Sequence, residues 1–129
     1  MHAIILAAGM GKRLKELTSN NTKCMIRVNG ITLIERVLGQ LDKLGLNRII
    51  IVVGYEGRKL MDYVNGLGIE TPVQYIENTI YHKTNNIYSL FLAREYMKLD
   101  DTLLLESDLI VEDGVLEDLL QDERDTLAL

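Results

Sequence analysis

The sequence lacks features that several classes of protein require. It contains a single cysteine, Cys24, which excludes an internal disulfide framework and a zinc site built from cysteines. No apolar run approaches the roughly 20 residues that a membrane-spanning helix needs. No positively charged segment followed by an apolar stretch and a cleavage site opens the chain, so a secretory leader is not expected. These absences favour a cytoplasmic protein without membrane insertion.

The charge composition also lacks a basic surplus. The 129 residues include 14 Lys and Arg against 19 Asp and Glu, which gives a formal net charge of −5. The basic residues are scattered except around Lys12, Arg13 and Lys15, so the chain has no extended basic surface for nucleic acid. With 47% hydrophobic and 26% charged residues, residues 1–129 are expected to form one globular domain that can still bind a small anion locally.

The hydrophobic pattern alternates between strands and helices. Apolar runs without alternation predict buried strands, and apolar residues at helical spacing predict amphipathic helices. The predicted strands cover residues 2–6, 49–53, 72–76 and 103–105, and the predicted helices lie within 33–44, 59–64, 87–97 and 115–120. This rhythm predicts an α/β fold with a mostly parallel sheet and helices on both of its faces. Ligands of such sheets bind beyond the carboxyl ends of the strands.

The last four residues, Thr126 to Leu129, are typical of the beginning of a strand. A chain rarely stops on an apolar strand without a polar tail. We therefore expect the sequence to be a fragment, truncated at its C-terminus, whose remaining strands and site residues lie further on.

A glycine turn follows the first predicted strand. The segment Ala8-Gly9-Met10-Gly11-Lys12-Arg13 places backbone amides at the carboxyl edge of the sheet, where glycines permit the close approach that lets amides surround a phosphate. An ordinary glycine turn is the alternative. A P-loop is excluded because a single residue separates Gly9 from Gly11, where that motif has four. A dinucleotide fingerprint is excluded because the bulky Leu14 stands where a small residue is needed.

The same segment belongs to a longer pattern. The run Ile4 to Leu14 (IILAAGMGKRL), with Lys23 after it, closely resembles the signature of the nucleotidyltransferases that activate phosphorylated small molecules with an NTP. The resemblance continues at residues 29–34 (NGITLI), 53–55 (VGY) and 106–108 (ESD). It therefore covers the whole chain.

Two further segments narrow the resemblance to enzymes that use CTP. Glu77-Asn78 followed by residues 85–90 (NNIYSL) is most similar to the bacterial phosphocholine cytidylyltransferases, and residues 103–110 (LLLESDLI) are also similar to the 2-aminoethylphosphonate cytidylyltransferases. The resemblance implies a Rossmann-like three-layer α/β/α fold of the nucleotide-diphospho-sugar transferase type. It also implies an enzyme that transfers CMP from CTP to a phosphorylated amino alcohol or an aminoalkylphosphonate and releases pyrophosphate.

The resemblance assigns roles to the basic residues and the glycine loop. Attack of an acceptor oxygen on the α-phosphorus brings negative charges together, so catalysis requires charge neutralisation and alignment. Lys23 is implied to bridge the α-phosphate and the acceptor, and Arg13 to hold the leaving pyrophosphate. Thr22 stands before Lys23 where the family commonly has proline, which leaves this loop less rigid. The residues implied to surround the nucleotide are Leu6, Ala7, Ala8, Gly9, Met10, Gly11, Lys12 and Arg13.

Asp108 is the implied ligand of Mg²⁺. It follows a predicted strand, and Mg²⁺ favours carboxylates together with water and phosphate oxygens. The alternative is an aspartate that caps a helix or forms a turn. Glu106, two residues earlier, shares the same face of the strand and is a candidate for an indirect role. No later aspartate matches the family's second metal ligand, in agreement with a fragment.

Polar and aromatic residues near position 85 are candidates for substrate recognition. Capping a helix explains one asparagine but not two adjacent ones. The resemblance implies that the acceptor or cytosine pocket is lined by Asn85, Asn86, Tyr88 and Ser89. A choline-like cation also favours aromatic faces. The available rings, each of which is individually more typical of a half-buried core residue, are Tyr55, Tyr81 and Tyr88.

Two other functions remain open. A sugar-1-phosphate nucleotidyltransferase shares the glycine loop, but it is not expected to have the asparagine-rich segment at 85–89. A non-catalytic nucleotide-binding regulatory domain would have no physical need for Arg13, Lys23 and Asp108 together. The remaining reactive side chains have no partners at metal-ligand spacing and are interpreted as structural. They are His2, His82 and Cys24.

Overall fold

The computed structural model describes residues 1–9, 23–107, 112 and 114–122. The strands within these ranges are β1 (His2–Ala7), β2 (Arg27–Val28), β3 (Ile31–Thr32), β4 (Ile49–Val53), β5 (Val73–Glu77) and β6 (Thr102–Glu106). The α-helices are α1 (Leu33–Asp42), α2 (Gly57–Asn65), α3 (Asn86–Leu92), α4 (Arg94–Leu99) and α5 (Val115–Gln121), and short 3₁₀ helices cover Lys23–Met25 and Tyr81–Lys83. No helix in the described ranges has the length and apolar character needed to cross a membrane.

The four longer strands form one parallel sheet. Its strand order is β5-β4-β1-β6, and each neighbouring pair is parallel. Ile5 in β1 lies opposite Ile51 of β4 and Leu105 of β6. The predicted parallel sheet is thus confirmed, and the predicted strands agree with the observed ones to within one residue at each end.

Helices cover both faces of the sheet because its central strands are apolar on both sides. All residues of β1 and β4 are buried. Ile5 and Ile51 point to the face where residues of α1, α2 and α5 pack. Ile4 and Ile50 point to the opposite face, where residues of α3 and α4 pack. The three-layer α/β/α architecture is therefore confirmed.

A tight hairpin precedes α1. Asn29 and Gly30 have positive φ angles of 55° and 82°, and they join the antiparallel pair β2 and β3 as a two-residue Asn-Gly turn does. Thr32 ends β3, and its Oγ1 accepts a hydrogen bond from Glu35 N at 3.1 Å. This bond satisfies one of the free amides in the first turn of α1. The hydrophobic pattern does not predict this short hairpin.

The prediction of a single helix within residues 87–97 is wrong. The structure divides this segment at Ala93 into α3 and α4. Ala93 leaves helical geometry with φ −93° and ψ 6°, which divides the helix, although Leu90, Ala93 and Tyr96 all pack on the same face of the sheet. Ile87 is 76% exposed and Phe91 is 52% exposed, whereas Ser89 and Ala93 are buried. Helical spacing of apolar residues thus overestimates the burial of this segment.

Candidate functional site

The carboxyl ends of the four parallel strands meet at one edge of the sheet. Backbone hydrogen bonds continue the strand pairing past the strand ends: Ser107 N donates to Leu6 O at 3.2 Å, and Asn78 N donates to Val53 O at 2.7 Å. The residues that follow β1, β4, β5 and β6 are therefore neighbours. This is the edge at which parallel α/β sheets bind ligands.

The residues predicted to begin the nucleotide loop leave β1 at this edge. Leu6, Ala7 and Ala8 are buried, whereas Gly9 is exposed, and no atom of the described residues lies within 4 Å of the position of a Cβ atom there. Tyr55 N donates a hydrogen bond to Ala8 O at 3.2 Å. The chain thus leaves the core at Gly9, directly after a carbonyl that is anchored to the end of β4. The rest of the predicted loop lies outside the described residues, namely Met10, Gly11, Lys12 and Arg13.

Gly54 allows two segments to approach the end of β4. A Cβ atom at Gly54 would lie 2.8 Å from Ala8 O and 2.8 Å from Tyr81 Cβ, closer than the optimal separation of about 3.5–4.0 Å between non-bonded carbon atoms. Glycine is therefore required between the start of the loop after β1 and the segment after β5. The sequence pattern predicts only the end of a strand at this position. A glycine directly after a buried strand is a signal of close backbone approach that could have indicated this contact.

Asn78 is a buried asparagine that directly follows β5, and it is 2% exposed. Its Nδ2 donates to Thr84 Oγ1 at 3.0 Å and to Ser89 Oγ at 3.2 Å, and its Oδ1 accepts from Ile80 N at 3.1 Å. The bonds with Ile80 and Thr84 hold the segment between β5 and α3, and the bond with Ser89 reaches α3 itself. The sequence marks Asn78 as part of a family motif but does not predict this network.

Three of the four predicted substrate-binding side chains have hydrogen-bond partners within the fold, and two of them, Asn85 and Ser89, are bonded to α3 or to Asn78. Asn85 caps α3, because its Oδ1 accepts from Ile87 N at 3.1 Å and from Tyr88 N at 3.4 Å. Ser89 is buried, and its Oγ accepts from Asn78. Capping therefore accounts for one of the two adjacent asparagines, which leaves the second to be explained.

The second asparagine, Asn86, reaches the end of β6. Its Nδ2 donates to Glu106 Oε1 at 2.9 Å, and both residues are exposed. This bond places an amide and a carboxylate beside the turn that leads towards the predicted metal ligand. Asp108 itself and the side chain of Lys23 lie outside the described part of the chain. Among the residues that are described, no three His, Cys, Asp or Glu side chains cluster as a metal site would require.

The candidate aromatic rings lie in two pairs. The ring centroids of Tyr55 and Tyr81 are 5.9 Å apart, and the ring of Tyr88 packs 6.2 Å from that of Phe91. The first pair lies at the ends of β4 and β5, and the second pair lies on α3. An aromatic face for a cation is therefore available beside Gly54.

A small recess lies beside Tyr81 at this edge of the sheet. Its volume is about 180 Å³, and its lining includes Arg58, Glu77 and Tyr81. Pockets for drug-sized ligands measure about 300–1,000 Å³, so this recess is too small to hold a nucleotide alone. It offers one cation and one carboxylate at the ends of β4 and β5.

Known proteins share both the sequence pattern and the fold. Residues 3–128 match the family described as the MobA-like NTP transferase domain. The chain is 39% identical over 113 residues to the 2-aminoethylphosphonate cytidylyltransferase of Lancefieldella rimae, covering 87% of this chain and 44% of that protein. The chain thus spans less than half the length of this relative.

Solved structures support the same comparison. The CTP:phosphocholine cytidylyltransferase of Streptococcus pneumoniae is similar with a TM-score of 0.73 and 36% identity, over 88% of this chain and 47% of that chain. A UDP-glucose pyrophosphorylase is similar with a TM-score of 0.75 over 92% of this chain and 51% of that chain, but its 16% identity supports the fold alone. The predicted nucleotide-diphospho-sugar transferase type of fold is confirmed.

Proposed function

Because the chain belongs to the MobA-like NTP transferase domain family, we propose that residues 1–129 form the nucleotide-binding part of a cytidylyltransferase. The proposed reaction transfers CMP from CTP to a small phosphorylated amino alcohol, such as phosphocholine, or to an aminoalkylphosphonate, and releases pyrophosphate. The observation that carries this proposal is the convergence, at one sheet edge, of the loop after β1, the segment after β5 and the end of β6. We also propose that the reaction takes place in the cytoplasm.

The proposed reaction depends on cations more than on a general base. A phosphate monoester has a second pKa of about 6, so its oxygens are largely ionised at neutral pH. The barrier then arises from bringing an anionic acceptor to a charged triphosphate, and positioned cations and amides lower it. We propose that Lys23 bridges the α-phosphate and the acceptor, and that Arg13, assisted by Lys12, binds the leaving pyrophosphate. The proposed nucleotide loop begins with Leu6, Ala7, Ala8, Gly9, Met10 and Gly11.

Mg²⁺ is the proposed cofactor. The end of β6 contributes one exposed carboxylate, Glu106, two residues before Asp108. Hard oxygen donors of this kind, combined with phosphate oxygens and water, are the ligands that Mg²⁺ favours. The donor set therefore fits a magnesium ion held by Asp108 and by the bound nucleotide. When bound, Mg²⁺ would neutralise part of the charge on the triphosphate.

We propose that the start of α3 forms the wall of the cytosine or acceptor pocket. Asn86 offers an exposed amide beside the end of β6, and Tyr88 lies in the same helical turn. Asn85 and Ser89 support this wall through their internal hydrogen bonds. The polar surface of the pocket would therefore come mainly from Asn86.

The acceptor's amino group is proposed to lie near the Tyr55 and Tyr81 rings. A quaternary ammonium group such as that of choline favours an aromatic face, and the paired rings provide one at the ends of β4 and β5. The neighbouring recess is lined by both the Glu77 carboxylate and the Arg58 cation, so the attraction proposed for the amino group comes from the rings. These features suit a cationic acceptor better than a neutral sugar.

Pyrophosphate release tests the proposed function. The longest available form of the chain, with Mg²⁺, is incubated with CTP, UTP, GTP or ATP and with phosphocholine, 2-aminoethylphosphonate or glucose 1-phosphate. We expect release that requires CTP and one of the two amino compounds. Release with UTP or GTP and glucose 1-phosphate would instead support a sugar-1-phosphate nucleotidyltransferase. A folded chain that binds an NTP without release would support a non-catalytic regulatory domain.

A further inference from the structure

We propose that Asn78 is a positioning residue that fixes the start of α3, and the loop before it, against the nucleotide edge of the sheet. This role rests on the proposed function for the identity of that edge. The hydrogen bonds that carry it belong to the described fold. Asn78 would act through the residues it holds rather than by touching the reacting atoms.

The side chain of Asn78 is bonded through each of its polar positions. Its two Nδ2 hydrogens are directed to Thr84 Oγ1 and Ser89 Oγ, and its Oδ1 accepts from Ile80 N. Its backbone N donates to Val53 O at 2.7 Å, which ties the network to β4. Loss of partners at a buried amide is more destabilising than loss at the surface, because water cannot replace them.

The direction of these hydrogen bonds requires an amide. Thr84 Oγ1 donates its own hydrogen to Ile80 O at 3.0 Å, so towards Asn78 it can only accept. An aspartate at this position would face Thr84 with a second acceptor and would place a charge in a buried site. A glutamine would be one methylene too long for the same three partners. The network therefore specifies asparagine.

The segment held by Asn78 carries two parts of the candidate site. Tyr81 lies within the loop that Asn78 and Thr84 close, and it packs beside Gly54 and the first residues of the loop after β1. At the other end of the segment, Asn86 reaches the end of β6. One buried side chain thus sets the position of the aromatic pair and of the proposed pocket wall together.

Amide hydrogen exchange and CTP affinity, measured on the same proteins, test this role. In Asn78→Ala we expect the amides of residues 79–89 to exchange faster by about tenfold or more, the factor that corresponds to the loss of a buried hydrogen-bond partner. The amides of β1 and β4 should keep their protection. CTP affinity should fall by about the same factor.

Thr71→Val is the matched control. It removes a different part-buried hydrogen bond, from Thr71 Oγ1 to Asp42 Oδ1 at 2.7 Å, at the opposite edge of the sheet, before β5 begins. We expect it to lower stability while leaving CTP affinity and the exchange of residues 79–89 unchanged. The control thereby separates the effect of a general loss of stability from the effect of displacing residues 79–89.

The Asn78→Asp variant distinguishes the role of the Asn78 Oδ1 acceptor from that of the Nδ2 donors. The aspartate keeps an acceptor for Ile80 N but loses the donor to Thr84, so Ile80 should stay protected while residues 84–89 exchange faster than in the wild type at the same pH. Burial raises the pKa of such a carboxyl group, and its protonation restores one donor. We therefore expect the exchange rate, taken relative to that of the wild type at each pH, and the CTP affinity to recover together as the pH is lowered.

The outcomes distinguish this role from the proposed function. The role would be overturned if residues 79–89 exchanged at the wild-type rate in Asn78→Ala. It would also be overturned if they exchanged faster while Asn78→Ala bound CTP as tightly as the Thr71→Val control. If Asn78→Ala does not fold, Asn78→Asp and Ser89→Ala carry the same comparison. A wild-type chain that binds no CTP would contradict the proposed function, and the exchange pattern alone would then decide whether Asn78 fixes the segment.

Discussion

Gly54 stands where two segments of the candidate site come together. We expect Gly54→Ala to lower the free energy of unfolding by about 1–3 kcal/mol, the range for overpacking, because its Cβ would meet Ala8 O and Tyr81 Cβ at 2.8 Å. Gly39→Ala is the control, since a Cβ there in α1 has no atom of the described residues within 4 Å and should stabilise the helix by about 0.5–1 kcal/mol. Urea denaturation compares the two variants. If both changed stability in the same direction, the close approach at Gly54 would be contradicted.

The role proposed for Lys23 predicts a loss of rate without a loss of fold. Lys23→Ala removes the cation proposed to lie between the α-phosphate and the acceptor, and loss of one such electrostatic contact lowers kcat by about 10²–10³-fold. Pyrophosphate release measures the rate, and circular dichroism measures the fold. Lys98→Ala, at an exposed lysine of α4, is the control and should keep the wild-type rate. A near-normal rate for Lys23→Ala would remove the proposed mechanism.

Single residues are also where sequence reasoning is least complete. The pattern indicates the polar junction at 85–89, yet it does not distinguish Asn85, which caps α3, and Ser89, which is buried against Asn78, from Asn86, which reaches the end of β6. The partner of Ser89 is Asn78, eleven residues earlier in the chain. Such pairings depend on distances that the tertiary fold sets. Local spacing carries no information about them.

At the scale of the element, the start of α1 depends on one hydroxyl group. Thr32 Oγ1 accepts from Glu35 N at 3.1 Å and lies 3.0 Å from the Tyr63 hydroxyl of α2, so it both caps α1 and links two helices. We expect Thr32→Ala to lower the free energy of unfolding by about 1–2 kcal/mol. Thr32→Ser keeps the hydroxyl and should lose much less. Equal losses in a denaturation experiment would assign the effect to the methyl group instead of the cap.

The elements differ in how far the sequence predicts them. β1 and β4 are predicted to within one residue because uninterrupted apolar runs suit strands that are covered on both faces. The hairpin of β2 and β3 is too short, at two residues a strand, to produce a periodic signal. The break at Ala93 is missed because Ile87, Phe91 and Met97 continue the helical spacing although they are exposed. Spacing reports periodicity, whereas burial depends on what covers the helix.

At the scale of the whole molecule, the location of the site is more predictable than the order of the strands. Alternation of strands and helices requires a parallel sheet, and the carboxyl ends of its strands must then share one edge. The order β5-β4-β1-β6 depends on pairing between distant segments, which local patterns do not encode. The site could therefore be assigned to an edge from the sequence, but its neighbours could not.

A buried histidine at the opposite edge of the sheet contributes to the pH dependence of the stability of the molecule. His2 is buried, and its Nε2 lies 2.9 Å from Thr102 Oγ1. Burial, followed by the nearby Arg48 cation, lowers the pKa of His2 below its ordinary value of 6.5, against a smaller opposing effect of Asp100. Between the two pKa values, His2 therefore binds a proton in the unfolded chain but stays neutral in the folded protein. The contribution of neutral His2 to the free energy of unfolding should be complete above its ordinary pKa of 6.5. It should be lost progressively as the pH decreases from there towards the lowered pKa of the folded protein.

Urea denaturation between about pH 7.5 and about pH 5 measures this dependence, whose slope for one proton is at most about 1.4 kcal/mol per pH unit. His2→Gln should flatten the slope in this window, whereas His82→Gln, at an exposed histidine, should keep it. Carboxylates contribute at more acidic pH, because hydrogen bonds from Thr71 lower the pKa of Asp42 below 3.8. A wild-type slope that persisted in His2→Gln would therefore exclude His2 as its source.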